Sequence, residues 1–146
     1  MNGAQIIISR RIVRRGTVET SAVEPRVDLI KLCMGADARF VDFAAETGSK
    51  GIVVEAFGRG NATLAVTEAV RRAVDRGVLI AIASCSPQGR VMPTYTGGDG
   101  GHDLMKAGAI FAGDLSGVKA RILLAVLLGT GCSQAQIKET VVRRAD

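Results

Sequence analysis

The sequence has 146 residues, 47% of them hydrophobic and 23% charged, and these proportions are typical of a folded globular domain rather than a disordered chain. No apolar run approaches the roughly 18 residues that a membrane-spanning helix needs. The net charge of +5 is not accompanied by a recognisable nucleic-acid-binding motif, and with no Trp and one Tyr the chain lacks the aromatic residues that stack on bases. Neither a nucleic acid nor a membrane is therefore an expected partner.

The cysteines indicate the compartment. Cys33, Cys85 and Cys132 are odd in number and lack CxxC spacing, so the sequence predicts neither a disulfide framework nor a metal site. Free thiols are typical of a reducing environment, which favours the cytoplasm. The chain also lacks the P-loop, HExxH and GxSxG motifs, and no cofactor is expected.

Apolar segments of strand length alternate with segments of helical period. Strands are predicted at residues 27–32, 51–57, 78–83 and 110–111, and amphipathic helices at 38–46 and 64–75. This alternation predicts an α/β fold, a three-layer domain with an open, mostly parallel sheet of about four strands. The residues expected to form the core of the sheet are Leu29, Ile30, Val53, Val54, Ile80 and Ile82.

The two amphipathic helices are expected to bury a stripe of apolar residues and to end at glycines. Gly48 and Gly77 follow the helices at the position where a left-handed conformation favours glycine. The side chains predicted to face inward include Phe40, Val41, Ala44 or Ala45, Leu64, Val66, Ala69, Val70, Ala73 and Val74.

The C-terminal part is predicted to hold two more helices. Residues 118–128 are almost wholly apolar after their first turn, which predicts a buried helix. Ser133 and Gln136 form a capping-box pattern that opens a last helix over 134–144. The glycine-rich stretch 84–108 is predicted to be a long loop, and loops of that length in compact domains are usually functional.

The N-terminal residues do not follow the βα pattern. Residues 5–19 predict a two-stranded hairpin that turns near Arg15 and Gly16, and residues 21–25 predict a linker. We therefore divide the chain into residues 1–23, a hairpin and linker left from a preceding domain, and residues 24–146, the α/β domain.

The most informative run is GIVVEAFGRGN at residues 51–61, in which a buried strand ends in a glycine-bracketed loop that leads into a helix. Ligands of open α/β sheets gather at such strand ends. A dinucleotide fingerprint is disfavoured because its third glycine would fall at Thr63. In the alternative interpretation Gly58 and Gly60 only form a turn and Asn61 caps the following helix.

Other reactive residues are weaker candidates. His102 is the single histidine, and Asp103 beside it is not placed to form a catalytic dyad. Cys85 follows a strand end without an assigned base. Glu55 within a strand and Asp114 before the apolar helix are interpreted as structural.

Together these motifs resemble the C-terminal domain of bacterial L-asparaginases of the asparaginase/glutaminase family. The resemblance is carried by VDLIKL, GSKGIVVEAFGRGN, SCSPQGRV and GGHDLMKAGAIFAGDLSGVKARI, and it spans about residues 24–142. The same domain type occurs in the amidotransferase D-type component that acts on glutamyl-tRNA. The hairpin at residues 5–19 resembles the end of the family's N-terminal domain.

The resemblance implies a role in hydrolysing L-asparagine to L-aspartate and ammonia. The family's catalytic threonines, with the Asp and Lys that accompany them, belong to an N-terminal domain to which no segment here corresponds, so no catalytic residue is expected in this chain. Asn61, within the turn of Gly58 and Gly60, matches the Asn that touches the substrate. Thr96 falls where some members place a glutamate, and Cys85-Ser86 replaces an Arg-Cys pair of relatives.

The resemblance also implies partners. Because the family's C-terminal domain lines the site of a neighbouring subunit, the expected partners are L-asparagine, an N-terminal asparaginase domain and a second copy in a homo-oligomer. The alternative is a non-catalytic module, left by truncation, that binds an amino acid or a protein.

Overall fold

The computed structural model describes residues 16–145. The elements, in chain order, are β1 (Val27–Lys31), α1 (Arg39–Glu46), β2 (Gly51–Ala56), α2 (Leu64–Asp75), β3 (Leu79–Ser84), α3 (Gly101–Lys106), β4 (Ile110–Phe111), α4 (Gly117–Gly129) and α5 (Gln134–Ala145). No helix within residues 16–145 is both long enough and apolar enough to cross a bilayer.

The strands form one parallel sheet in the order β1-β2-β3-β4. Helices α1 to α3 form one layer, and α4 and α5 cover the opposite face. Alternate residues of the central strands pack against opposite helical layers. Ile52 and Val54 pack in the layer of α1 to α3, and Val53 packs in the layer of α4 and α5. The predicted α/β fold with a parallel sheet of four strands is confirmed.

The position of a strand in the sheet decides how deeply its side chains are buried. Val53, Val54, Ile80 and Ile82 of the two central strands are at most 1% exposed, as predicted for core residues. Leu29 and Ile30 were expected in the same core but are only partly buried. The reason is that β1 lies at the edge of the sheet that residues 16–145 form, with β2 as its neighbour there.

The helix boundaries follow the local signals closely. Helix α2 occupies residues 64–75 as predicted. Gly48 and Gly77 follow the C-caps of α1 and α2 with φ values of +98° and +84°. The capping box that opens α5 is present, since the Ser133 N–H donates to Gln136 Oε1 at 2.9 Å and the Gln136 N–H donates to Ser133 Oγ at 3.4 Å.

Some residues of the predicted inward faces are exposed. Phe40 at the start of α1 and Leu64 at the start of α2 expose 65% and 59% of their surface, whereas Val41 and Val66 are fully buried. Both exposed residues lie in the first turn of their helices. Helix α4, predicted from residues 118–128 to be a buried helix, is buried on the side that packs on the sheet and leaves Val118 and Ile122 exposed on the other.

The predicted long loop at residues 84–108 contains a short helix, α3, together with the last residue of β3. Local sequence signals for α3 are weak because it has only six residues and begins at the second of two adjacent glycines, Gly100 and Gly101. Tertiary contacts stabilise it: Leu104 is completely buried in the layer formed by α1 and α2. The helix also divides the loop and fixes its position beside the strand ends.

Most of the predicted hairpin at residues 5–19 lies outside the described residues. The segment that follows packs against α4. Glu24 N–H donates to the Ala125 carbonyl at 3.0 Å, and a Cβ added at Gly129 would lie 2.0 Å from the Ala22 carbonyl oxygen. Gly129 is therefore needed for the close passage of residues 22–23 across the end of α4.

Candidate functional site

Three loops meet at the carboxyl edge of the sheet. Since all four strands are parallel, the segments that follow β1, β2 and β3 leave the sheet on the same side. Thr63 Oγ1 donates to the Ala36 carbonyl at 3.0 Å and so joins the first loop to the second. The Met92 N–H donates to the Arg59 carbonyl at 2.8 Å and joins the third loop to the second. The second loop, which contains the GRGN run, is thus the centre of this cluster.

The GRGN run is a tight turn closed on itself. Phe57 and Asn61 form an antiparallel bridge in which each N–H donates to the other's carbonyl, at 2.8 and 2.9 Å. Gly58 and Gly60 adopt φ values of +50° and +109°. Ser84, at the end of β3, donates through its Oγ to the Gly58 carbonyl at 2.7 Å. The turn is consequently fastened both to itself and to the neighbouring strand.

The role of Asn61 differs from the predicted alternative. The N-cap of α2 is Thr63, whose Oγ1 accepts from the Val66 N–H at 3.3 Å, so Asn61 does not cap this helix. Instead Asn61 Oδ1 accepts from the N–H of Gly101 at 3.3 Å, 40 residues along the chain. Asn61 is partly exposed. It therefore links the GRGN turn to α3 while part of the residue stays accessible to solvent.

Thr96 lies exposed in the loop between β3 and α3. Its backbone packs against Gly100, where an added Cβ would lie 2.1 Å from the Tyr95 carbonyl oxygen and 2.7 Å from Thr96 N. Gly100 precedes Gly101, the partner of Asn61. The structure thus joins the loop of Thr96 to the turn of Asn61 through this glycine pair.

The glycine pair is the part of the site that sequence reasoning missed. A Cβ at Gly101 would lie 3.0 Å from the Met92 carbonyl oxygen and 3.3 Å from that of Gly60. Both glycines are buried. The adjacent glycines in the sequence are the available signal, but by themselves they predict only a loop.

The remaining candidates do not assemble a catalytic group. His102 Nδ1 is shut off from solvent and has no hydrogen-bond partner within residues 16–145. Cys85 is a half-buried free thiol whose N–H donates to the Ala56 carbonyl. Glu55 lies 3.9 Å from Lys31 Nζ, and its carboxylate packs against Gly117 at the start of α4. Across the described part of the chain, no cluster of three His, Cys, Asp or Glu side chains could hold a metal ion.

One carboxylate near the first loop is electrostatically perturbed. The side chain and backbone N–H of Arg39 donate to Asp37, with Nη2 at 2.7 Å from Oδ2, and these hydrogen bonds lower the pKa of Asp37. The pair lines a groove of about 210 Å³ together with Cys33 and Phe40. Asp37 is therefore held as an anion at the rim of the loop cluster.

The sequence of this chain is similar to a known domain family and to several characterised proteins. The model of the Glutaminase/Asparaginase C-terminal domain matches residues 26–141. The chain is 31% identical over 126 residues to an L-asparaginase of Bacillus licheniformis, an alignment that covers 86% of this chain and 39% of that protein. It is 37% identical over 113 residues to a Glutamyl-tRNA(Gln) amidotransferase component of Thermofilum pendens, covering 77% of this chain and 24% of the relative.

A solved structure shares the fold. The thermostable L-asparaginase from Thermococcus kodakarensis superposes with a TM-score of 0.76 and 24% sequence identity, covering 90% of this chain and 41% of that protein. The chain thus spans well under half the length of each of these relatives.

Proposed function

This chain belongs to the Glutaminase/Asparaginase C-terminal domain family, and we propose that it lines the substrate site of an L-asparaginase. The reaction consumes water and converts L-asparagine to L-aspartate and ammonia. In this proposal the nucleophile comes from an N-terminal asparaginase domain, and residues of this chain bind and orient the amino acid. Gly58, Gly60 and Asn61 form the contact, with Thr96 in the adjoining loop.

The observation that carries the proposal is the placement of Asn61. Asn61 is partly exposed on a turn that is fixed by its own bridge, by Ser84 and by the Gly101 N–H. A rigid polar group at the carboxyl edge of a parallel sheet is suited to orient a small polar ligand, because little conformational entropy is lost when the ligand binds. The resemblance to the family assigns its ligand as the amino acid.

The proposal includes a second copy of the chain and a cytoplasmic location. A homo-oligomer would let the turn of Asn61 complete a site on a neighbouring subunit, as the family resemblance implies. The cytoplasm is supported by Cys33, Cys85 and Cys132, which are all free and two of which are exposed.

A domain exchange tests the function directly. The segment of the Bacillus licheniformis L-asparaginase that this chain matches is replaced by the chain, and ammonia release from L-asparagine is measured. We expect turnover by the hybrid and none by this chain alone. An Asn61→Ala hybrid is the control and should show a raised KM. Activity of the isolated chain would contradict the assignment of the nucleophile, and an inactive but folded hybrid would contradict the role in asparagine hydrolysis.

The second candidate is a non-catalytic module that binds an amino acid or a protein. It requires no N-terminal domain, and it is favoured by the partly exposed Asn61 and the exposed Thr96 in the adjoining loop, which could contact a ligand in the isolated chain. Titration of the isolated chain with L-asparagine, followed by NMR, distinguishes the two functions when combined with the hybrid. Specific shifts together with an inactive hybrid would support the binding module.

A further inference from the structure

A groove runs along β4, the strand at the opposite end of the sheet order from β1. Residues of α3 line one part of it and residues of α5 another, and residues 90–93 complete the lining. Its volume is about 470 Å³, which is in the range of sites that bind small molecules. Because Gly58, Gly60, Asn61 and Thr96 do not line it, the groove is separate from the candidate site described above.

The lining of the groove along β4 is largely apolar and partly open to solvent. Met92, Met105 and Val142 line it and expose 44%, 42% and 48% of their surface. Ile110 and Phe111 of β4 line it as well. Methionine side chains are flexible and polarizable, and they are typical of surfaces that adapt to apolar ligands. A ligand that covered these side chains would therefore remove apolar surface from water.

The charged side chains of this groove are all cationic. Arg90 and Lys138 line it, and among its lining residues within residues 16–145 there is no Asp or Glu. Lys138 is half-buried and lies on the same face of α5 as Val142 and Ala145, at i, i+4 and i+7 spacing. It forms no ion pair with another residue of the described part of the chain. A lysine in such a place lays its aliphatic stem on apolar surface and keeps its ammonium group in water, where an anion can reach it.

We propose that this groove binds an amphipathic carboxylate of the medium-chain fatty acid type, with its carboxylate paired to Lys138 and its alkyl chain along β4 against Met92 and Met105. Charge complementarity selects the anion, because a cationic amphiphile of the same length would be repelled by Lys138 and Arg90. The length also fits, since Lys138 and Ala145 are separated by about 10 Å along the axis of α5. The inference concerns a second ligand class and does not depend on the function proposed above.

The test is an NMR titration of the full chain, labelled with methyl-¹³C methionine, with octanoate below its micellar concentration. Met92 and Met105 report on the groove, and Met34, which is 97% exposed in the loop after β1, is the internal reference. We expect the methyl signals of Met92 and Met105 to shift and that of Met34 to stay in place. The affinity should rise about fourfold with each methylene group added between hexanoate and decanoate, as expected when each added group is buried.

Lys138→Gln tests the ion pair. It should weaken octanoate binding about fivefold, as for a partly exposed ion pair, and leave the binding of uncharged octanol unchanged. Lys119→Gln makes the same change at an exposed lysine of α4 and is the matched control, so it should bind octanoate as tightly as the unmodified chain does.

Three results would overturn the inference. Unshifted Met92 and Met105 signals would show that the groove does not take the ligand, and a Met34 shift as large as theirs would show that octanoate only adsorbs to exposed apolar residues. Equal losses of affinity in Lys138→Gln and Lys119→Gln, or equal affinities for octanoate and octyltrimethylammonium, would overturn the pairing of the carboxylate with Lys138.

Discussion

The turn that carries Asn61 contains two glycines whose replacement by alanine should have very different costs. Gly58 and Gly60 both have positive φ, +50° and +109°. A Cβ at Gly58 would meet no atom within 4 Å, but a Cβ at Gly60 would lie 2.7 Å from Phe111 Cε1 and 3.3 Å from Ile82 Cγ2. The two substitutions therefore separate backbone strain from steric overlap within a single turn.

The expected magnitudes follow from these contacts. Gly58→Ala places alanine in the left-handed region, which costs about 1 kcal/mol in the free energy of unfolding. At Gly60 the φ value lies beyond the left-handed helical region, where strain costs about 1–3 kcal/mol. Overlap with Phe111 and with fully buried Ile82 adds about 1–3 kcal/mol, as for other overpacked sites. We expect a total loss of about 4 kcal/mol for Gly60→Ala.

Urea unfolding followed by far-UV circular dichroism measures both losses on the same scale, provided that the slope of the transition is unchanged. A much lower midpoint is expected for Gly60→Ala, and a small shift for Gly58→Ala. Similar midpoints for the two variants would refute the argument that Phe111 and Ile82 confine the turn. Because Phe111 belongs to β4, that result would also remove the evidence that this strand supports the site.

Two further predictions concern ionisable and polar side chains. The hydrogen bonds from Arg39 lower the pKa of Asp37 below its ordinary value of 3.8. A carboxyl with a lowered pKa stabilises the fold above its unfolded-state pKa, and this contribution is lost as the pH falls through the folded-state pKa. Arg39→Gln should therefore weaken resistance to acid unfolding and raise the titration midpoint of Asp37 measured by carboxyl ¹³C NMR. An unchanged midpoint would contradict the pairing. His102→Leu removes an enclosed nitrogen that has no partner within the described residues, so thermal unfolding should show a change between zero and a gain of about 1 kcal/mol. A large loss would show that the imidazole makes a stabilising bond.

Much of the fold could be predicted from local sequence signals. The bounds of α2, the glycines after α1 and α2, and the Ser133–Gln136 capping box all depend on residues within a few positions of each other, and all were predicted correctly. The strands were found because continuous β-branched runs are required in a sheet covered on both faces. The GRGN turn was also identified from local features, namely its glycines and its position directly after a strand.

Features that depend on distant residues were decided by the tertiary structure. Within residues 16–145 the strand order places β1 at an edge of the sheet, which explains why Leu29 and Ile30 are less buried there than the equally apolar Ile80 and Ile82. Likewise, the sequence of α4 did not indicate which side of the helix would pack on the sheet, because nearly every position in this helix is apolar.

The candidate site likewise combines features that the sequence predicted with features that only tertiary contacts determine. The sequence identified Asn61 and the turn around it, but it favoured neither the contact with Gly101 nor a helix at residues 101–106. That contact joins positions 40 residues apart. Helix α3 is too short to be stable by itself and exists because Leu104 is buried and the glycine pair fits against the turn. The local sequence thus determined which polar residues lie in the turn, and packing between distant segments determined the hydrogen-bond partner of Asn61.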